Sequence, residues 1–223
     1  MSDSERLKIC AIMSCPRLGW QDHFDCVQAT LGKFGIPLNK GYGAFWGQHM
    51  QDLMEKAIKR GIDWLIALDY DTLMGPPHLD MMLKWMGNRP EADALVPLQP
   101  RRNADDVLAF AYGVPGSVTK AAFGDLTPID AGHFGFTVIR LEAVARMPKP
   151  WFMHQPDVTG SWGGGRIDDD IWFWRRFRQS GGRIYLAPDV SVGHLELVAT
   201  YIDDHGQKQY MAVPKFLKEH CGL

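Results

Sequence analysis

Short apolar runs and helix-spaced apolar stripes alternate along the first hundred residues. Residues 7–13, Leu-Lys-Ile-Cys-Ala-Ile-Met, form an apolar run halted at Pro16, the pattern of a buried first strand. Phe24, Val27, Leu31 and Phe34 then recur at helical spacing, with Gly35 as a stop. Residues 36–39 suit a short strand. Beyond Gly41 and Gly43, the residues Trp46, Met50, Leu53, Met54, Ala57 and Ile58 make a second helical stripe closed by Gly61. Residues 62–68, Ile-Asp-Trp-Leu-Ile-Ala-Leu, are too few for a core helix and suit a central parallel strand. Leu79, Met82, Leu83 and Met86 mark a third helix, and residues 94–98 another strand. This alternation predicts an α/β fold: a doubly wound, mainly parallel sheet with helices on both faces.

Past Pro100 the alternation breaks. Residues 107–112 and 134–139 read as strands without a full helix between them, and residues 141–146 as a short helix, so the second half is mixed. Residues 160–165 form a glycine-rich loop around Trp162, suited to movement. Asp168, Asp169 and Asp170 open a helix running to about Ser180 and ended by Gly181 and Gly182; residues 183–186 follow as a short strand.

Composition narrows the picture. The 223 residues, 46% hydrophobic and 22% charged, suit a single domain with one sizeable core. A formal charge of -2 supplies no global attraction for nucleic acid or an anionic membrane, although a local basic patch stays open. The first eight residues lack the apolar core of a signal peptide, and no apolar run nears the roughly 20 residues needed to span a bilayer. A cytoplasmic protein without a membrane segment is therefore expected. Cys10, Cys15, Cys26 and Cys221 form no Cys-x-x-Cys pair, which points to reduced thiols rather than structural zinc.

Candidate chemistry begins at Asp69 and Asp71, two residues apart where the apolar strand ends. If extended geometry persists, both side chains point the same way and reach one ion. Ligands in open parallel sheets bind beyond the carboxyl ends of the strands, where this pair falls. Such hard oxygen donors suit Mg2+ or Mn2+. The alternative is a pair of turn-forming aspartates before Gly75-Pro76-Pro77.

The segment Leu65-Ile66-Ala67-Leu68-Asp69-Tyr70-Asp71 resembles the Asp-x-Asp element of GT-A glycosyltransferases, in particular short members related to the large inverting family that includes cellulose-synthase-like enzymes. Three later segments resemble that group in the same order: Asp130-Ala131-Gly132-His133-Phe134-Gly135-Phe136, Asp169-Asp170-Ile171-Trp172-Phe173, and Val192-Gly193-His194. The resemblance implies a metal and nucleotide site at Asp69 and Asp71, an acceptor-side wall at Gly132 and His133, a catalytic base at Asp170 beside Asp169, and a third metal ligand at His194. It implies a nucleotide-binding half over about 7–100, an acceptor-side half over about 101–194 and a C-terminal tail over 195–223. The chain departs from the family in the helix before the Asp-x-Asp strand, where Gln48 and His49 are the nearest polar residues to the usual arginine and asparagine.

The chemistry accounts for these residue types. A sugar leaving a nucleoside diphosphate, with a UDP-sugar favoured as donor, develops negative charge that a divalent cation stabilises. An inverting transfer also needs a base for the acceptor hydroxyl. Asp170 shares a helical stripe with Phe173, Trp174 and Phe177, which turns it inward, while Asp168 is placed to cap the same helix. Ser14 and Arg17 follow the first strand, where a nucleobase would lie; Arg101 and Arg102 follow the fourth, where cations meet phosphate. The Trp162 loop would close over the donor and exclude water. A nucleotidyltransferase on a related fold and an inactive nucleotide-sugar or carbohydrate-binding module are the competing readings. The acceptor's identity and the oligomeric state are not encoded in these motifs; a nucleic-acid acceptor stays open without support from the charge.

Overall fold

The computed structural model describes residues 7–101, 108–109 and 125–222. Most of the strand expected over 107–112 lies outside them, as does Arg102. In chain order the elements are β1 (Ile9–Cys15), α1 (Gln21–Phe34), β2 (Leu38–Tyr42), α2 (Trp46–Lys59), β3 (Trp64–Leu68), β4 (Thr72–Leu73), α3 (Pro76–Asn88), β5 (Ala94–Leu98), β6 (Thr127–Ile129), β7 (Phe136–Arg140), α4 (Leu141–Ala145), α5 (Asp169–Gln179), β8 (Ile184–Ser191), β9 (Gly193–His194), β10 (Val198–Ile202), β11 (Lys208–Ala212) and α6 (Val213–His220). None of the described helices is long and apolar enough to cross a membrane.

Among the described residues the main sheet has seven strands in the order β2-β1-β3-β7-β5-β8-β6. Strands β2, β1, β3, β5 and β8 run one way; β7 and β6 run the other. The alternation in the first hundred residues thus yields the expected parallel direction. However, β5 does not lie beside β3, because β7 enters between them antiparallel to both. That choice depends on pairing with strands far along the chain, which local periodicity does not encode.

Side-chain alternation along the strands divides the core. Cys10, Ile12, Leu65, Ala67, Ala94 and Val96 pack with α2 and α5 on one face. Ala11, Met13, Trp64, Ile66, Leu68 and Leu95 pack with α1 and α3 on the other. Every residue of β3 is buried, as a central strand covered on both faces requires. Helix α1 ends at Gly35 in the left-handed region (φ 63), where the Ile36 N–H returns to the Leu31 carbonyl.

One helix start differs from expectation. Asp168 precedes α5 without making a side-chain capping bond; its carboxylate instead accepts from Arg166 Nε at 2.7 Å. The C-terminal segment is likewise more than a tail. Strands β10 and β11 form an antiparallel ribbon, and Tyr201 on β10 packs against Phe216 and His220 of α6.

Candidate functional site

The buried strand β3 delivers Asp69 to the rim of the sheet, where the Asp69 N–H donates to the Gly135 carbonyl at 3.3 Å. Three residues later the chain enters β4, which pairs antiparallel with β9 so that Thr72 faces His194. This pairing brings Asp71 and His194 together: His194 Nε2 lies 3.3 Å from Asp71 Oδ2. His194 Nδ1 donates to the Pro100 carbonyl at 2.9 Å, and the Leu195 N–H donates to the Asp71 carbonyl at 2.7 Å. With Nδ1–H committed, Nε2 is the nitrogen turned to the carboxylate, and two electron-rich atoms at that spacing call for a proton or a cation.

Asp69, Asp71 and His194 line one cavity of about 380 Å3, joined from the start of α5 by Asp169 and Asp170. Trp46 and Phe134 form an aromatic wall, with Gln99 and Arg101 on the β5 side. Trp46, Phe134 and Phe152 meet edge-on or tilted at 5.2–5.7 Å between ring centroids. The cavity lies beyond the carboxyl end of β3, where open α/β sheets hold their ligands.

Burial in this aromatic setting raises the cost of charge. The Asp69 carboxyl is pushed up to about 7, first by desolvation and then by the negative charges of Asp71 and Asp170; His194 and the Trp46 indole N–H pull it partly back. Asp170 is pushed up to about 6, again chiefly by desolvation, although its Oδ1 accepts the Ile171 N–H at 2.7 Å. The sign of the stability effect follows. Between the ordinary aspartate range and these raised values the folded chain holds more protons than the unfolded chain, so the metal-free protein loses stability as pH rises from about 4 towards 7. Asp69→Asn removes the larger penalty. It should stabilise the metal-free protein at pH 7.5 by on the order of 2 kcal/mol, a rise of about 4–8 °C for a chain of this size, with little change at pH 4. Thermal unfolding at the two pH values checks this; an unchanged or lower midpoint at pH 7.5 would show that the Asp69 charge is not strained.

The other sequence-expected residues divide. Gly132 and His133 line the cavity wall. A Cβ on Gly132 would come within 2.7 Å of Val96, so glycine lets this segment lie against β5. His133 is buried and doubly bonded: Nε2 donates to the Pro97 carbonyl at 2.9 Å and Nδ1 accepts the Gly135 N–H at 3.0 Å. Burial pushes its pKa down to about 4, so it is neutral. Ser14 and Arg17 are not among the cavity-lining residues; the Ser14 hydroxyl bonds His49 Nδ1 at 3.1 Å, and Arg17 is exposed. Trp162 also stands outside the lining, 58% exposed. Its loop is tied at the base by reciprocal 2.9 Å bonds between Gln155 and Ile167, and Asp157 accepts the N–H groups of Thr159 and Ser161 within it.

Sequence reasoning passed over Trp46, Gln99 and His154. In the sequence Trp46 reads only as an apolar helix position. Gln99 is 2% exposed and its Nε2 donates to Thr72 Oγ1 at 2.9 Å; a lone amide after a strand carries no signal. His154 Nδ1 lies 3.0 Å from Asp169 Oδ1, with the Trp162 ring 6.4 Å away. Asp169 can approach because residue 47 is glycine: a Cβ there would sit 2.5 Å from the Asp169 carboxylate. Among the described residues no three His, Cys, Asp or Glu side chains gather as a ready-made metal-ligand cluster. The expected set of Asp69, Asp71 and His194 thus shares one cavity without forming such a cluster.

No protein-family model and no curated protein matches the sequence. Solved structures do match in shape. The crystal structure of A197 from STIV superposes with a TM-score of 0.62 at 12% identity, over 91% of this chain and 93% of that one. GalNAc-T7, crystallised with UDP, GalNAc and Mn2+, superposes with a TM-score of 0.54 at 15% identity. The chain has a GT-A-like fold. The GalNAc-T7 match covers 86% of this chain but 44% of that one, so this chain spans under half of GalNAc-T7's length. At these identities the likeness is one of fold, and it does not single out the cellulose-synthase-like branch.

Proposed function

We propose that this protein is a metal-dependent glycosyltransferase that moves a sugar from a nucleoside diphosphate, UDP in the first instance, to an acceptor hydroxyl with inversion. The observation that carries the reading is the convergence of Asp69, Asp71 and Asp170 with His194 on one cavity at the end of β3. Carboxylates that raise one another's proton affinity are relieved by a divalent cation. Hard oxygens with one imidazole are a donor set that Mn2+ and Mg2+ accept. The likeness in fold to GalNAc-T7, solved with UDP and Mn2+, supports the same assignment.

In this reading Asp69, Asp71 and His194 would hold the cation, and its charge would offset the negative charge developing on the departing diphosphate. Arg101, on the β5 side of the cavity, adds a fixed positive charge for phosphate. Ser14 at the end of β1 and Arg17 just beyond it lie outside the cavity lining and would meet the nucleoside portion only where it extends past the cavity. Asp170 takes the acceptor's proton, its raised pKa making it a better base than an ordinary carboxylate; Asp169 accompanies it, held with His154. Gly132 and His133, which line the cavity, would form the acceptor-side wall, and the Trp162 loop, next to His154, would close over the donor. Residues 7–100 then act as the donor half and residues 101–194 as the acceptor half.

The class is tested by thermal shift with nucleoside diphosphates, with and without Mn2+. UDP and Mn2+ together, at about a hundred times Kd, should add about 2.7 kcal/mol of stability, a rise of about 5–10 °C, with neither sufficient alone. A response to nucleoside triphosphate with release of pyrophosphate would replace this reading with nucleotidyl transfer.

A further inference from the structure

Strands β4 and β9 are two residues each, Thr72–Leu73 and Gly193–His194. A ladder this short has little cooperative strength of its own. Slipping it by one residue would reverse the side-chain directions that bring Asp71 to His194. Its register must therefore be held by contacts from outside the ladder; on the β9 side these are the bonds of Val192 and His194 to the Leu98 and Pro100 carbonyls, and on the β4 side they gather on Thr72, which is fully buried. His23, on α1 and equally buried, donates from Nδ1 to the Thr72 carbonyl at 2.7 Å. Gln99 donates to the Thr72 hydroxyl at 2.9 Å from the chain leaving β5. Gly135 lies so close that a Cβ would come within 2.7 Å of that hydroxyl.

These anchors arrive from separate elements: Gln99 follows β5 and lines the cavity, whereas α1 packs against the sheet through Val27 and Leu31. A histidine used only as filler would have no need for a short bond to a carbonyl 49 residues away. We infer that His23 is a positioning residue for the Asp71–His194 pair: its N–H pins the Thr72 carbonyl, and this fixes the residue between Asp71 and the β9 partner strand. The consequence for cation and nucleotide binding rests on the function proposed above; the geometric claim does not.

The test uses the full chain with His23→Phe, which keeps an aromatic ring beside Phe24 but removes the N–H, and His23→Asn, which restores a donor near the Nδ1 position. Two quantities are read at one pH, well below each variant's Tm. The first is the ring-nitrogen NMR signal of ligand-free His194, assigned by its loss in His194→Gln. The second is UDP affinity in the presence of Mn2+ by calorimetry. His23→Phe should shift the His194 signals and weaken UDP–Mn2+ binding by at least about tenfold, and His23→Asn should recover most of both. If His23→Phe does not fold, His23→Leu is read in its place. A lowered Tm with His194 signals unchanged would overturn the inference, leaving His23 a packing residue. Displaced His194 signals in a protein that binds no UDP–Mn2+ even as wild type would uphold the positioning role and sink the proposed function.

Discussion

Asp71→Ala should abolish Mn2+-dependent UDP binding and reduce sugar transfer by on the order of a thousandfold, while leaving the protein folded. Asp71 is 4% exposed and faces His194 Nε2 at 3.3 Å, so its loss removes a carboxylate directed at the proposed cation. Folding should survive, because the Asp71 backbone carbonyl, which accepts from Leu195, is untouched. Its charge is also one of those straining Asp69. The measurements are calorimetry of UDP with and without Mn2+, donor turnover, and circular dichroism as the fold control. Undiminished metal-dependent binding in Asp71→Ala would remove the carboxylate pair from the mechanism.

The second large effect concerns the proposed base. Asp170→Asn keeps the shape of the side chain and an oxygen for the Ile171 N–H, but it cannot take a proton. Turnover should fall by about 10²–10⁴ with UDP affinity nearly unchanged. As the proposed base Asp170 would act in its carboxylate form, and its pKa is pushed up to about 6. Wild-type turnover should therefore rise as pH increases through about 6, and that limb should vanish from the residual activity of Asp170→Asn. Asp168→Asn is the control: Asp168 is exposed, paired with Arg166 and absent from the cavity lining. A full-strength Asp170→Asn enzyme, or equal losses in both variants, would pass the role of base to another group.

Much of the architecture was legible because apolar periodicity is a local signal. Residues 94–98 form a strand over the expected span, and α1 stops at the glycine marked for it. The cavity residues Asp69, Asp71, Asp169, Asp170, His194, Gly132 and His133 were all singled out before any geometry was known. Four carboxylates and His194, drawn from three separate stretches, acquire meaning only in order along an α/β chain. The less accurate expectations concern partners. Asp168 had the residue type of a helix cap, yet Arg166 two residues away offers its carboxylate a charged donor instead. At Ser14 the sequence marked the strand end but not that His49 bonds its hydroxyl.

By itself the sequence determined the alternating strands and helices of the first hundred residues, which of their faces are apolar, and which acidic side chains stand at a strand end, since spacing and residue type along the chain decide these. Tertiary structure alone decided that β7 enters between β3 and β5, that a two-residue ladder carries His194 to Asp71, and that His23 and Gln99 converge on Thr72. It also decided that Asp69 and Asp170 are held where ionisation is costly. The physical reason is that non-local pairing, desolvation and charge repulsion depend on what surrounds a group in space, and a sequence pattern records only its neighbours along the chain.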